Sequence, residues 1–232
     1  LTTQALHHIS HIDRILSGHS SHILIIGRSG VGKRDSTTLA SYMLGYDLFS
    51  PNVWRDYGIK QFKADIKVAV YNAGIQGKQT VFLVEDFQIM SEGFVEILNS
   101  LISSGEAPGL YCQEELESLL ISVKERCREE GKGQSPYNFF VNQVKKFLHV
   151  VLCMDSQHPK FLLRCESNPA LYSLCTILYF GEWGEDSLKQ IPILMNDLTD
   201  LFHNGERSEL TESNGAESEG ERKSVNEEPI QY

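Results

Sequence analysis

Short apolar runs bounded by polar residues recur along the chain and predict buried strands. Four such runs span residues 23–26, 81–84, 150–154 and 176–180, and a shorter extended piece at 48–50 stops at Pro51. A continuously apolar run of this length is typical of a parallel strand that is buried on both faces. The pattern therefore predicts a sheet in the interior of the protein.

Between these runs the apolar positions recur at helical spacing. In residues 5–16 the side chains of Leu6, Ile9, Ile12 and Leu16 share one face, as in an amphipathic helix. Further helices are predicted at 37–44, 60–72, 94–102, 114–130, 138–147 and 188–195. Strands that alternate with helices predict an α/β fold, in which helices flank a parallel sheet.

The C-terminal part has a different composition. From about Gly205 onward Ser, Glu, Gly and Asn dominate, and no apolar periodicity remains. Such a segment buries too little apolar surface to fold, so we expect a disordered acidic tail. The expected organisation is an N-terminal helix leading into the module (1–19), one α/β domain (20–200) and the tail (201–232).

The charge of the chain argues against nucleic acid as a partner, and the length of its apolar runs argues against a membrane. Net charge is −10, and residues 204–232 carry eight acidic and three basic residues, a balance of −5. The rest is mildly acidic and has no basic run suited to a nucleic-acid backbone. No apolar run approaches the roughly 20 residues that span a bilayer. We expect neither nucleic acid nor a membrane as a partner.

A phosphate-binding loop follows the first predicted strand. Residues 27–33 have the spacing G-x-x-x-x-G-K and lie between a buried strand and a helix, which is the context that this motif requires. Its N–H groups and the helix N-terminus attract an anion, and Lys33 reaches the β- and γ-phosphates. The expected nucleotide-binding residues of the loop are Gly27, Ser29, Gly30, Val31, Gly32, Lys33 and Arg34. A glycine-rich turn with a chance lysine is the alternative.

The residue after the lysine departs from the motif. A Ser or Thr hydroxyl normally ligates Mg²⁺ there, but this chain has Arg34, and Ser36 and Thr37 follow only later. The positioning of the metal is therefore weakened, while phosphate binding survives. Arg34 either adds its own positive charge or points to solvent.

The second strand ends in two acidic residues, Glu85 and Asp86. P-loop ATPases use an Asp that holds Mg²⁺ here, often followed by a Glu that polarises the attacking water, so the order is reversed. Glu85 would serve as the magnesium acid, and the shorter Asp86 would act on the water. A misplacement of about 1 Å costs about a hundredfold in rate. Slow or absent hydrolysis is expected; two surface carboxylates are the alternative.

Several motifs together resemble one family. These are the phosphate loop, HIDRILS (11–17), VFLVED (81–86), the pattern N-x-L-x-x-x-G-E-x-P-G-L (99–110) and CESNPAL (165–171). Over residues 5–195 the chain resembles an AAA+ module of a dynein heavy chain. It is most similar to the fourth module of the ring, and to the cytoplasmic dynein of retrograde intraflagellar transport.

The resemblance implies more than the residues alone do. It implies the large subdomain of an AAA+ P-loop NTPase that binds ATP or ADP, with Mg²⁺ possible. Asp155 falls where the family has a sensor Asn, and Arg164 matches an arginine finger that reaches a neighbouring module's nucleotide. The implied partners are other modules of the ring and subunits of the dynein complex. Microtubules are contacted only indirectly, since no lid or stalk follows in these residues. The implied location is the cytoplasm, cytoskeleton and cilium or axoneme.

Three functions follow from these observations. The first is a regulatory module that binds nucleotide and hydrolyses it slowly or not at all. The second is an active ATPase in which Glu85 and Asp86 adapt to their exchanged places. The third is a nucleotide-free structural spacer or truncated product. A metal site at His7 and His11, one helical turn apart, lacks a third ligand, and we interpret that helix as packing near the adenine.

Overall fold

A five-stranded parallel sheet forms the centre of the chain in the computed structural model, which describes residues 2–131, 133–190 and 193. All four strand pairs are parallel, and the order across the sheet is β2-β3-β4-β1-β5. The strands are β1 (His22–Ile26), β2 (Asp47–Phe49), β3 (Thr80–Glu85), β4 (Leu148–Met154) and β5 (Cys175–Tyr179). The predicted α/β class, with helices flanking a parallel sheet, is confirmed.

The helices agree with the apolar periodicity except where it is weak. They are α1 (Thr3–Leu16), α2 (Lys33–Leu44), α3 (Ile59–Gly74), α4 (Glu92–Ser104), α5 (Gln113–Glu130), α6 (Pro136–Phe147), α7 (Phe161–Ser167) and α8 (Ala170–Ser173). The prediction for α2 started four residues late, because its first turn is polar and has no apolar repeat. The short helices α7 and α8 were not predicted, since neither is long enough to show a period.

Helices cover both faces of β3, whereas the edge strand β5 is mostly exposed. Val81 and Leu83 point to one side, where they pack with α1 residues such as Ile12. Phe82 and Val84 point to the other, where they pack with residues of α3, α4 and α6. All four side chains are fully buried. Because β3 is buried on both faces, its sequence is one continuous apolar run.

The chain divides into a main unit, Thr3–Trp183, and a second unit that begins at Gly184. In the second unit residues 185–190 are helical. The expected tail at 201–232 and most of the helix expected at 188–195 lie outside the described residues. Within the described part of the chain, no helix is long and apolar enough to cross a membrane. The five cysteines, all in the described part, are unpaired.

His22 in β1 makes stability depend on pH. Its Nδ1 accepts a hydrogen bond from the N–H of Val150 at 3.1 Å, so this atom must stay unprotonated. Burial, and to a smaller extent His149, lowers the pKa of His22 to about 4. The unfolded state takes up a proton near pH 6.5, before the folded state does, so stability is lost as pH falls from 6.5 to 4. The expected loss from this group is about 3 kcal/mol.

Urea unfolding at pH 7 and pH 4.5 tests this expectation. The His22→Gln variant keeps an acceptor for Val150 without a titrating ring, and should lose clearly less stability on acidification than the natural chain. The control is His7→Gln, at an exposed position of α1, which should lose as much as the natural chain. Equal losses for His22→Gln and the natural chain would show that His22 is not the cause.

Candidate functional site

The phosphate loop lies at the carboxyl end of the sheet. It connects β1 to α2, and Glu85 at the end of β3 is paired in register with Cys153 of β4. Asp155 directly follows β4. In parallel α/β sheets this edge is where ligands bind. The N–H of Gly27 donates to the carbonyl of Met154 at 3.0 Å, so the first glycine of the motif extends the sheet and keeps its own N–H occupied.

Two glycines give the loop its shape. Gly30 and Gly32 have φ angles of 84° and 80°, which residues with a side chain rarely adopt, and Gly32 is the N-cap of α2. In the described part of the chain, no hydrogen bond engages the N–H groups of Ser29, Gly30 or Gly32. Val31 is buried with the core residues on the α1 side of the sheet. The loop is thus anchored, with donors available to an anion.

Lys33 folds back across this loop. Its Nζ donates to the carbonyl of Gly27 and, at 2.8 Å, to that of Arg28. The same side chain lines a cavity of about 290 Å³. The other lining residues are Ser29, Glu85, Asp86, Phe87, Cys153, Asp155 and His158. The ammonium therefore lies between the loop and the acidic end of β3. A terminal phosphate bound there would be attracted by the positive charge of Lys33, as in other phosphate loops.

Arg34 pairs with the first acid of β3. Its Nη1 lies 3.1 Å from Oε2 of Glu85, with side chains 54% and 18% exposed. The hydroxyl of Thr37 is no substitute for the missing Mg²⁺ ligand, since it is fully buried and donates to the carbonyl of Lys33 at 2.8 Å. Ser36 is buried as well. The expected magnesium acid thus holds a guanidinium, and these residues do not fit the usual metal arrangement.

The second acid, Asp86, is held by two donors. Its Oδ1 accepts from Nη1 of Arg164 at 2.5 Å, and its Oδ2 accepts from the N–H of Asp155 at 2.9 Å. Arg164 is only 4% exposed and also donates from Nε to Glu92 at 3.1 Å. In this chain Arg164 therefore faces its own carboxylates. Its role as an arginine finger stays a prediction, and that role requires it to leave them.

Glu92 and Lys160 complete this cluster. Lys160 Nζ donates to Glu92 Oε1 at 3.1 Å. Burial alone would raise the pKa of the Glu92 carboxyl, but hydrogen bonds from Arg164 and Lys160 outweigh it and hold the pKa below its usual value. Glu92 is therefore a charged partner of Arg164 at neutral pH. It was not expected from the sequence, because an acid in the first turn of a helix is common.

Two more side chains face the cavity from β4 and the residue after it. Asp155 Oδ1 accepts from the N–H of Gln157 at 2.9 Å, so this carboxylate is bonded to its own loop. Burial, and secondarily the charge of Glu85, raises the pKa of the Cys153 thiol to about 12. Cys153 is thus a neutral wall of the cavity at physiological pH and not a nucleophile.

Trp183 is a loop contact that the sequence did not reveal. Its Nε1 donates to the carbonyl of Gly30 at 3.0 Å. Its ring lies so near that a Cβ on Gly32 would come within 3.1 Å of it. Arg28, in the same loop, is paired with Glu182 at 2.8 Å. Residues 182 and 183, after β5, therefore contact the phosphate loop. These contacts could not be predicted from the sequence, because the residues involved lie about 150 positions apart.

Of the histidines of α1, His8 packs in the core, and His7 and His11 lie nearer the surface. The ring of His8 stacks on Phe180 with centroids 3.8 Å apart, and His8 is buried. His7 and His11 contact each other on the exposed side. Among the described residues, no group of three or more His, Cys, Asp or Glu side chains is arranged to hold a metal ion.

Comparisons with known proteins match nearly the whole chain. The family model described as "P-loop containing dynein motor region D4" matches residues 1–223. The chain is 42% identical over 212 residues to cytoplasmic dynein 2 heavy chain 1 of Rattus norvegicus, which covers 91% of this chain and 5% of that protein. For the Homo sapiens protein of that name the identity is 45% over 192 residues, with 83% and 4% covered.

A relative of another kind is also similar. Dynein axonemal heavy chain 6 of Homo sapiens is 34% identical over 191 residues, covering 81% of this chain and 5% of that protein. The chain spans only about 4–5% of the length of the curated relatives it matches.

Proposed function

The chain belongs to the P-loop containing dynein motor region D4 family, and we propose that it is a regulatory nucleotide-binding module of a dynein heavy chain. It binds ATP or ADP through the loop 27–33 with Arg34 beside it, and it hydrolyses ATP slowly or not at all. One observation carries the proposal: the loop keeps its two glycines at positive φ, while each acid at the end of β3 is paired with an arginine of the same chain.

Binding is supported by the loop. Ser29 and Lys33 of the loop line the cavity beside the acids of β3, and α2 begins at Lys33. Loop N–H groups, a helix N-terminus and a lysine are the groups that hold phosphates in other P-loop proteins. A larger cavity of about 360 Å³, below the segment after α4, has no lysine or arginine in its lining. It offers no positive charge to a polyphosphate, whereas the cavity at the phosphate loop is lined by Lys33.

Slow hydrolysis is supported by the acids. To polarise a water, Asp86 needs a carboxylate oxygen that can accept a hydrogen bond from it. Both of its oxygens already accept hydrogen bonds, one from Arg164 and one from the N–H of Asp155. It is also one methylene shorter than a glutamate, which moves its oxygens by more than the roughly 1 Å that costs about a hundredfold. The sensor position holds Asp155, which donates no side-chain hydrogen bond when ionised.

The relatives' names, together with the resemblance of the motifs, support a proposal about the wider setting. We place the module in the motor ring of a cytoplasmic dynein 2 heavy chain, beside other modules and dynein subunits, in the cytoskeleton and cilium. Intraflagellar transport toward the microtubule minus end is the proposed process, with microtubules contacted only through other parts of the motor. We propose the divisions 1–19, 20–200 and 201–232 as before.

Titration with fluorescent ATP and ADP, followed by phosphate release at saturation, tests this function. The chain should bind both nucleotides and release phosphate slower than about 0.1 per second, a hundredfold below the median enzyme turnover of about 10 per second. Steady release above that rate that disappears in Lys33→Ala would favour the active ATPase. No binding at high micromolar nucleotide, with an unchanged melting temperature, would favour the structural spacer.

A further inference from the structure

Arg34 occupies the place of a magnesium ligand and has donors left over. It is the second residue of α2, directly after Lys33. In the described part of the chain only its Nη1 makes a hydrogen bond, to Glu85. A guanidinium carries five N–H groups and no acceptor, so it can never ligate a metal. It does match the geometry of phosphate oxygens, which it binds in a bidentate manner.

The environment of Arg34 lets it turn to a phosphate. The side chain is about half exposed, and an ion pair at such a position contributes little to stability. Its other N–H groups are therefore available to a phosphate while Nη1 stays on Glu85. Mg²⁺, in contrast, needs a nearly ideal octahedron of oxygen ligands, usually one or two carboxylates together with substrate phosphates and waters. Here the hydroxyl is absent, the carboxylate is paired, and a fixed positive charge would repel the ion.

We propose that Arg34 replaces Mg²⁺ in this site, so that the chain binds its nucleotide as the free anion, without a divalent cation. This inference rests on the proposed nucleotide-binding function and deepens it. Lys33 and Arg34 together supply the positive charge that the metal supplies elsewhere, and Glu85 holds the guanidinium ready. The same replacement removes the ion that neutralises developing charge during phosphoryl transfer, which agrees with slow hydrolysis.

Affinity for ADP and ATP, measured by calorimetry on the 232-residue chain in excess MgCl₂ and in excess EDTA, tests the inference. The natural chain should bind both nucleotides more weakly in MgCl₂ than in EDTA, because Mg²⁺ in solution competes with the chain for the free anion. The Arg34→Ser variant restores the hydroxyl and frees Glu85, so Mg²⁺ should tighten its binding by about tenfold or more. The Arg34→Gln variant lacks both the charge and the hydroxyl, and should bind about tenfold more weakly in EDTA than the natural chain.

A second measurement reads the metal itself. In the paramagnetic resonance spectrum of Mn²⁺ with ADP, the natural chain should raise the signal of free Mn²⁺, because it takes up ADP without the metal, while Arg34→Ser should give a protein-bound signal. Equal or tighter binding of the natural chain in MgCl₂, or a bound Mn²⁺ signal, would overturn the inference and leave nucleotide binding intact. No binding in either buffer would overturn the proposed function itself. Melting without nucleotide checks that both variants fold.

Discussion

Lys33→Ala is expected to weaken ATP and ADP binding by about 10- to 100-fold, because a hydrogen bond from a charged donor is worth about 1.5–3 kcal/mol. At a concentration 100 times the natural dissociation constant, nucleotide should stabilise the natural chain by about 2.7 kcal/mol. With a hundredfold weaker site this gain falls to about 0.4 kcal/mol. Thermal unfolding with and without nucleotide measures both values.

The matched control for this prediction is Lys124→Ala, at an exposed position of α5. It removes the same charge far from the loop and should keep the full stabilisation by nucleotide. Unfolding without nucleotide must also be compared, because Lys33 donates to two loop carbonyls in the unliganded chain. Equal nucleotide affinities for Lys33→Ala and the natural chain would remove the lysine from the site.

Arg164→Met is expected to destabilise the fold by about 3 kcal/mol, the lower end of the cost of breaking a buried ion pair. The loss of the guanidinium leaves Asp86, which is 18% exposed, with only the N–H of Asp155, and leaves Glu92 with only Lys160. Glu92 is 39% exposed, so solvent stabilises it in part. Urea unfolding at pH 7 measures the effect, with Arg128→Met on the exposed side of α5 as the control.

The same variant separates two roles of Arg164. An arginine that acts only on a neighbouring module's nucleotide would leave the stability of this chain unchanged. The low pKa of Glu92 adds a pH signature. Because its folded pKa lies below the unfolded value, its contribution is present above about pH 4.5 and is lost as pH falls through the folded pKa. Arg164→Met should lack most of this acid-dependent loss.

Much of the fold was predictable because β1, β3 and β4 are buried on both faces. The run at 176–180 was also expected to be buried, but β5 lies at the edge of the sheet and most of its residues are exposed or half-buried. The runs at 23–26, 81–84, 150–154 and 176–180 became β1, β3, β4 and β5, and their order with the helices indicated a parallel sheet. The family match confirms the resemblance to the fourth module of a dynein ring. The start of α2 was placed late, since its polar first turn gives no apolar period.

The pairing of side chains at the site was not predictable from the sequence. Arg34 and Glu85 are 51 positions apart, and Arg164 and Asp86 are 78 apart. Such pairs depend on where the strand ends and helices meet in space, which no local pattern records. The sequence identified the unusual residue types, Arg34 above all, but the structure was needed to see which acid each arginine faces.

Hydrogen exchange of the loop amides measures whether the backbone N–H groups of residues 29–33 hold a polyphosphate. Saturating ADP should slow the exchange of peptides that cover this segment, while peptides of the buried strand β4 should exchange as before. Unchanged exchange across residues 29–33 at saturating ADP would contradict the account.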